Sequence, residues 1–222
     1  MKFLRWLILM IVLLLVSCNE LEIEEEVKGN EKVITKTILT LWDSITAWYT
    51  LDLEDSYPSQ LGDVLQENNY KYEIINAWVS WDTSEQLLER IDLYLDLEDS
   101  NTEIAILVIG WNDGLRWLSI NILYSNISLV IDKLQNENIK VVLWWMQIPP
   151  NLWLKYSYDF KKLYSKIAKQ KDVYLIDFFL EGVAWNRSLN LSDWIHPNKK
   201  WYEIIAKNVF EFLKSNKLIT ND

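Results

Sequence analysis

The run IAILVIG, residues 104–110, decides how the rest of the chain is read. It is aliphatic without a break until its closing glycine. A strand with one wet face alternates apolar and polar residues, whereas an unbroken apolar run of this length suits a strand covered on both faces. Similar short runs lie at 37–41, 72–76, 141–146 and 173–176. Longer amphipathic stretches fall between and after them, at 56–68, 83–97, 119–137, 157–170 and 199–214. In the last of these, Ile204, Ile205, Val209, Phe212 and Leu213 recur at helical spacing. Strand alternating with helix predicts an α/β domain with a parallel five-stranded sheet and helices on both faces. Ligands of such sheets bind beyond the carboxyl ends of the strands. The sequence shows no internal repeat, no low-complexity domain and no second globular domain.

With 222 residues, half of them hydrophobic, the chain can bury one sizeable core. A net charge of −10 and a pI near 4.7 argue against nucleic acid or anionic lipid as an electrostatic partner. The single cysteine excludes an intrachain disulfide and a cysteine-based metal cluster. The single histidine, His196, must serve any mechanism that needs an imidazole base. Glycine is scarce, with 5 residues against about 15 expected from ordinary usage. Tryptophan, normally rare, occurs 13 times.

Residues 1–18 have a basic start, Lys2 and Arg5, and an apolar run over 6–16. That run is short for a membrane span and fits a signal-peptide core. It ends in LVSC, which resembles a bacterial lipobox and marks Cys18 as the lipidated, mature N-terminus; a short uncleaved anchor is the alternative. The acidic stretch over 19–32 lacks aromatics and reads as a solvated tether. The folded domain is expected to occupy 33–222. Together these features predict an exported bacterial lipoprotein, anchored to the cell membrane or cell surface.

The segments after the strands carry the chemistry. Asp43-Ser44 follows the first, NAWVSWDTS (76–84) the second and GWNDGLRW (110–117) the third, while DWIHPN (193–198) stands near the end. A hydrolytic serine needs a base for its proton, and the base needs a partner that holds its tautomer. Ser44 is the candidate nucleophile, His196 the base and Asp193 its orienter. Asp193 and His196 are three apart, so one turn can bring carboxylate to imidazole, and Pro197 biases His196 towards extended backbone. A developing oxyanion needs donors. The Asn112 side chain can supply one, and the backbone N–H groups of Ser44 and Trp81 two more. Taken singly, each residue has a plainer reading: Ser44 or Asp43 as a helix cap, Asn112 and Asp113 as turn formers, His196 and Asp193 as surface loop residues. Their joint occurrence, each after the appropriate element, favours the site.

These blocks resemble those of the SGNH hydrolases, also called the GDSL esterase/lipase family, and in particular its thioesterase I/arylesterase branch. Residues 42–46 match a Gly-Asp-Ser-Leu/Ile-Thr block, 76–84 one like NAGVSGDTS, 110–117 one like GGNDGLRG, 146–153 one like MQIPPNLG, and 193–198 one like DGIHPN. The likeness runs from about residue 37 to about 213. It implies a three-layer α/β/α sandwich with flavodoxin-like strand order. It implies Ser44, Asp193 and His196 as a triad, with the backbone N–H groups of Ser44 and Trp81 and the Asn112 side chain as oxyanion hole. The implied activity is a serine esterase or acyl hydrolase of arylesterase, thioesterase or lysophospholipase type. It cleaves small-molecule carboxylic or thioesters through an acyl-Ser44 intermediate and needs no metal or organic cofactor. The region 146–156 resembles a substrate-contacting loop, which favours acyl chains. A carbohydrate or peptidoglycan O-acetylesterase is the alternative enzyme. A non-catalytic surface lipoprotein that kept the fold is the alternative from another class.

The departures from the family pattern share one form. Trp42, Trp48, Trp78, Trp81, Trp111, Trp117, Trp145, Trp153, Trp185, Trp194 and Trp201 stand where the pattern favours glycine. Restoring glycine there returns its usage to the ordinary level. Tryptophan supports neither positive φ nor close backbone approach, the two services glycine provides. One codon explains the whole set: some bacterial lineages read UGA as glycine, and another code reads it as tryptophan. The host protein is therefore expected to carry glycine at most or all of these positions. The tryptophan-bearing chain is expected to be inactive or insoluble.

Overall fold

In the computed structural model the chain divides into two units, Met1–Val33 and Ile34–Asp222. The structure describes residues 35–42, 52–97, 101–148, 154–176, 188–189 and 198–221. The stretches expected to be a signal peptide and a tether, residues 1–32 with Cys18, lie outside the described residues.

Five strands form one parallel sheet: β1 (Lys36–Trp42), β2 (Tyr72–Trp78), β3 (Asn101–Val108), β4 (Lys140–Trp144) and β5 (Tyr174–Ile176). Their order is β2-β1-β3-β4-β5. The chain starts near the middle, steps outward once to β2, then crosses back and continues the other way. Right-handed crossovers require that reversal to put the first connecting helix on one face and the later ones on the other. Helix α1 (Tyr57–Glu67) is that first crossover, and it packs against the closing helix α7 (Lys199–Ser215). On the return side α2 (Ser84–Arg90) packs on α5 (Ile120–Asn136), and α5 on α6 (Leu154–Lys171). The result is the expected three-layer α/β/α sandwich with flavodoxin-like order.

The central strands behave as their composition demands. Ile104, Ala105, Ile106, Leu107 and Val108 are all fully buried, because both faces of β3 are covered. β1 is in register with β2 from Lys36↔Tyr72 to Trp42↔Trp78, and with β3 up to Trp42↔Val108. Trp78, Trp42 and Val108 therefore end level at one edge. The order reverses between β1 and β3, which is the crevice where ligands of such sheets bind.

The differences from the sequence reading are local. The stretch read as one helix over 83–97 is two, α2 and the short α3 (Asp92–Leu95), with a break at Ile91. A further short helix, α4 (Trp111–Leu115), follows β3 where only a loop was expected. It is too brief to carry a periodic signal.

Candidate active site

The site is built on the segments that leave β2 and β3. Gly110 ends the β3 run with φ 109° and caps α4. A β-carbon on Gly110 would collide with the Tyr164 hydroxyl, which donates to the Ile109 carbonyl at 2.8 Å. Glycine is therefore required at that turn, and the turn sends Asn112 and Asp113 inward. Both are 1% exposed. The Asn112 amide nitrogen donates to the Asp82 carbonyl oxygen at 3.0 Å. A primary amide has two N–H bonds, so this contact fixes the side chain and commits one donor.

The facing segment, residues 81–84, is tied to α4 at three further points. The Asp113 carboxylate accepts from the Ser84 hydroxyl at 2.5 Å and the Ser84 N–H at 2.9 Å. Arg116 donates to the Trp81 carbonyl at 3.1 Å. Asn126 of α5 donates to the Ser84 hydroxyl oxygen at 3.1 Å, closing the network from below. Thr83 starts α2 with a capping box, in which the Gln86 side chain accepts the Thr83 N–H at 3.0 Å. Asp82 is buried and takes two guanidinium contacts from Arg90, at 2.8 and 2.7 Å. Burial pushes the carboxyls of Asp82 and Asp113 above the usual range, against the lowering effect of Arg90 on the first and of the Ser84 bonds on the second.

Two predicted oxyanion groups are thus brought to one edge on neighbouring segments. Asn112 stands on α4 beyond β3, and Trp81 in the turn beyond β2. Trp81 has φ 65° and its side chain is 62% exposed. Trp117 also has positive φ, at 59°, and its ring lies 5.5 Å from that of Tyr156. The Tyr156 hydroxyl donates to the Leu118 carbonyl at 2.7 Å, and burial, followed by the nearby Asp113 charge, pushes its pKa up to about 12. Ser44, Asp193 and His196 lie outside the described residues, as do Trp48, Trp153, Trp185 and Trp194. The described chain brackets them: β1 ends at Trp42, and α7 begins after Asn198, whose side chain accepts the Trp201 N–H at 3.2 Å. Trp42 itself is fully buried, donates to the Asn76 side chain at 2.7 Å and packs edge-on against Tyr57.

Sequence reading missed the Ser84–Asp113–Asn126 cluster. Asp113 read as a turn former because nothing local distinguishes a buried acid from an exposed one. The signal was positional: an acid directly after Asn112, at the end of a doubly buried strand.

The family model for GDSL-like lipase/acylhydrolases matches residues 43–204. The chain is 32% identical to an arylesterase of Vibrio mimicus over 81% of its own length and 88% of that protein. It is also 32% identical to Esterase TesA of Pseudomonas aeruginosa, over 83% of this chain and 90% of the relative. Among solved structures, a psychrotrophic esterase EstA from Pseudoalteromonas, inhibited by monoethylphosphonate, superposes with a TM-score of 0.77 at 29% identity, covering 82% of this chain and 98% of that one.

Proposed function

The chain belongs to the GDSL-like lipase/acylhydrolase family, the SGNH hydrolases, and on that premise we propose that Ser44, Asp193 and His196 form its catalytic triad. It is a serine esterase, an acyl hydrolase of small-molecule esters. Family membership sets aside the non-catalytic alternative. His196 takes the Ser44 proton as the oxygen attacks the ester carbonyl, and Asp193 orients the imidazole and stabilises its cationic form. The tetrahedral oxyanion is held by the N–H groups of Ser44 and residue 81 and by the second N–H of Asn112. Collapse expels the alcohol or thiol with the proton from His196. Water, activated by the same base, then releases the acid from Ser44.

The observation that carries this reading is Asn112: buried at the switch-point edge and fixed by the Asp82 carbonyl. The phosphonate inhibition of the Pseudoalteromonas relative suggests the test. A fluorophosphonate probe should label the folded protein and fail on Ser44→Ala; absence of label on the folded parent sinks the proposal. Acyl chains are the favoured substrates, because the region 146–156 resembles a substrate-contacting loop and its Tyr156 stands beside α4, with its hydroxyl on the Leu118 carbonyl. An ester panel of graded acyl length, with highest kcat/KM on acetyl sugars, would favour the O-acetylesterase alternative instead.

Export and lipidation at Cys18 belong to the same proposal, supported by the basic start, apolar run and LVSC of residues 1–18. Radiolabelled palmitate should enter the parent in its host and not Cys18→Ser; equal labelling of both refutes the anchor. The glycine reading is supported by backbone conformation. Of the non-glycine residues with positive φ among those described, Asn69, Asn138, Asp172 and Lys217 are polar turn or helix-end residues, while Trp81 and Trp117 are bulky aromatics. Sequencing the gene decides this: UGA at codons 42, 81 and 111 sustains the reading, and UGG ends it.

A further inference from the structure

We infer that Asp113 is a positioning residue that sets the spacing of the oxyanion hole by clamping Ser84. This rests on the assignment of residue 81 and Asn112 as oxyanion donors. The two donors stand on different segments, one after β2 and one after β3, and no ladder bond joins those strands because β1 lies between them. β1 joins the strands themselves, but its ladders stop at Trp78 and Val108, so the segments beyond those residues need ties of their own. The Asp113 carboxylate supplies one with both oxygens, one on the Ser84 N–H and one on the Ser84 hydroxyl. The clamp spans three residues on one side, from Ser84 back to residue 81, and one on the other, from Asp113 back to Asn112.

The remaining contacts fit that role. Ser84 Oγ is held on its far side by Asn126 Nδ2, so the hydroxyl proton is directed at Asp113. Thr83 and Gln86 lock the helix start that carries Ser84. The Asn112–Asp82 bond is then the last link, and it forms in the right place only if the clamp has brought residue 82 alongside α4. Both Asp113 carboxylate oxygens are engaged by Ser84. Asp113 acts through the geometry of its neighbours.

A displacement of about an ångström in a reacting geometry costs on the order of 10²-fold in turnover. The test measures kcat and KM on a p-nitrophenyl ester for Asp113→Ala, Asp113→Asn, Ser84→Ala and Asn112→Ala. It uses the full-length chain as its own host translates it, normalised to sites titrated by a fluorophosphonate. Asp113→Ala and Ser84→Ala are expected to lower kcat by about 10- to 100-fold with KM within about threefold of the parent. Asp113→Asn, which keeps one acceptor for the Ser84 N–H, should fall between them and the parent. A purely structural role would reduce the number of titratable sites and leave kcat per site alone. If Asp113→Ala does not fold, Ser84→Ala decides by the same criterion. Reduced kcat in Asn112→Ala with unchanged kcat in the clamp variants overturns this inference alone. Unchanged kcat in Asn112→Ala removes the oxyanion assignment, and the inference with it.

Discussion

Replacing Asn112 by alanine should separate the proposed catalytic role of this side chain from the structural tie it makes. The first is catalytic. An oxyanion donor acts on charge that exists only in the tetrahedral transition state, so its loss lowers kcat and leaves KM nearly unchanged. One lost donor is worth roughly 10²–10³ in turnover, about 3 kcal/mol of barrier. The second is structural. The same side chain donates to the Asp82 carbonyl at 3.0 Å in a buried setting, and truncation leaves that acceptor without this donor. A buried polar group so stripped costs about 1–3 kcal/mol of stability. The folded protein should survive this and remain titratable. The assay is steady-state hydrolysis of a p-nitrophenyl ester per titrated site, paired with a urea midpoint on the same sample. A variant that loses stability but keeps kcat within about threefold would refute the oxyanion role and leave Asn112 as a structural tie.

Other perturbations test other parts of the account. Gly110→Ala should cost about 3 kcal/mol, from an alanine at φ 109° and displacement of the Tyr164 hydroxyl from the Ile109 carbonyl; an unchanged urea midpoint would contradict the turn geometry. In the tryptophan-bearing chain, Trp81→Gly should raise stability by about 0.5–1 kcal/mol, since relief of positive φ outweighs the entropy of an added glycine and the exposed indole gives up little burial. A loss of stability would show that the indole has found its own packing. The raised carboxyls of Asp82 and Asp113 hold protons in the native state where the unfolded chain has released them. Their contribution is fullest below the ordinary value of 3.8 and declines as pH rises through the raised native values. Asp113→Asn cannot ionise, so the stability of the parent relative to it should fall across that window and then level off. A difference that grows with pH would contradict the assigned direction.

The sheet was legible because β3 is buried on both faces and wrote that fact as an uninterrupted aliphatic run. The amphipathic stretches gave the long helices within a few residues, since their apolar spacing is enforced by packing on the sheet. The break at Ile91 was not legible, because the apolar pattern and the helical angles of Ile91 both run through it, and the change lies in the hydrogen bonding, where the Tyr94 N–H donates to the Ile91 carbonyl three residues back. Helix α4 was invisible for a different reason: five residues cannot display a 3.6-residue period. Asn112 could be placed at the right edge because strand order and chain order together fix which segments meet. The clamp around Asp113 could not, because its partners come from α2 and α5, far apart in sequence, and only folding reveals that the acid is buried. Trp81 is a mixed case. The sequence singled it out as a residue of the wrong kind for its turn, and the positive φ at that position is the conformation that glycine would supply.

The central claim is that Ser44 is the nucleophile, and the most direct measurement is peptide mass spectrometry after fluorophosphonate labelling of the protein as its host makes it. A single phosphonyl adduct is expected on Ser44, absent after denaturation before labelling and absent in His196→Ala. The same peptide reads residues 42 and 48 as glycine. Folded, ester-binding protein with no adduct, or an adduct on another side chain, would contradict it.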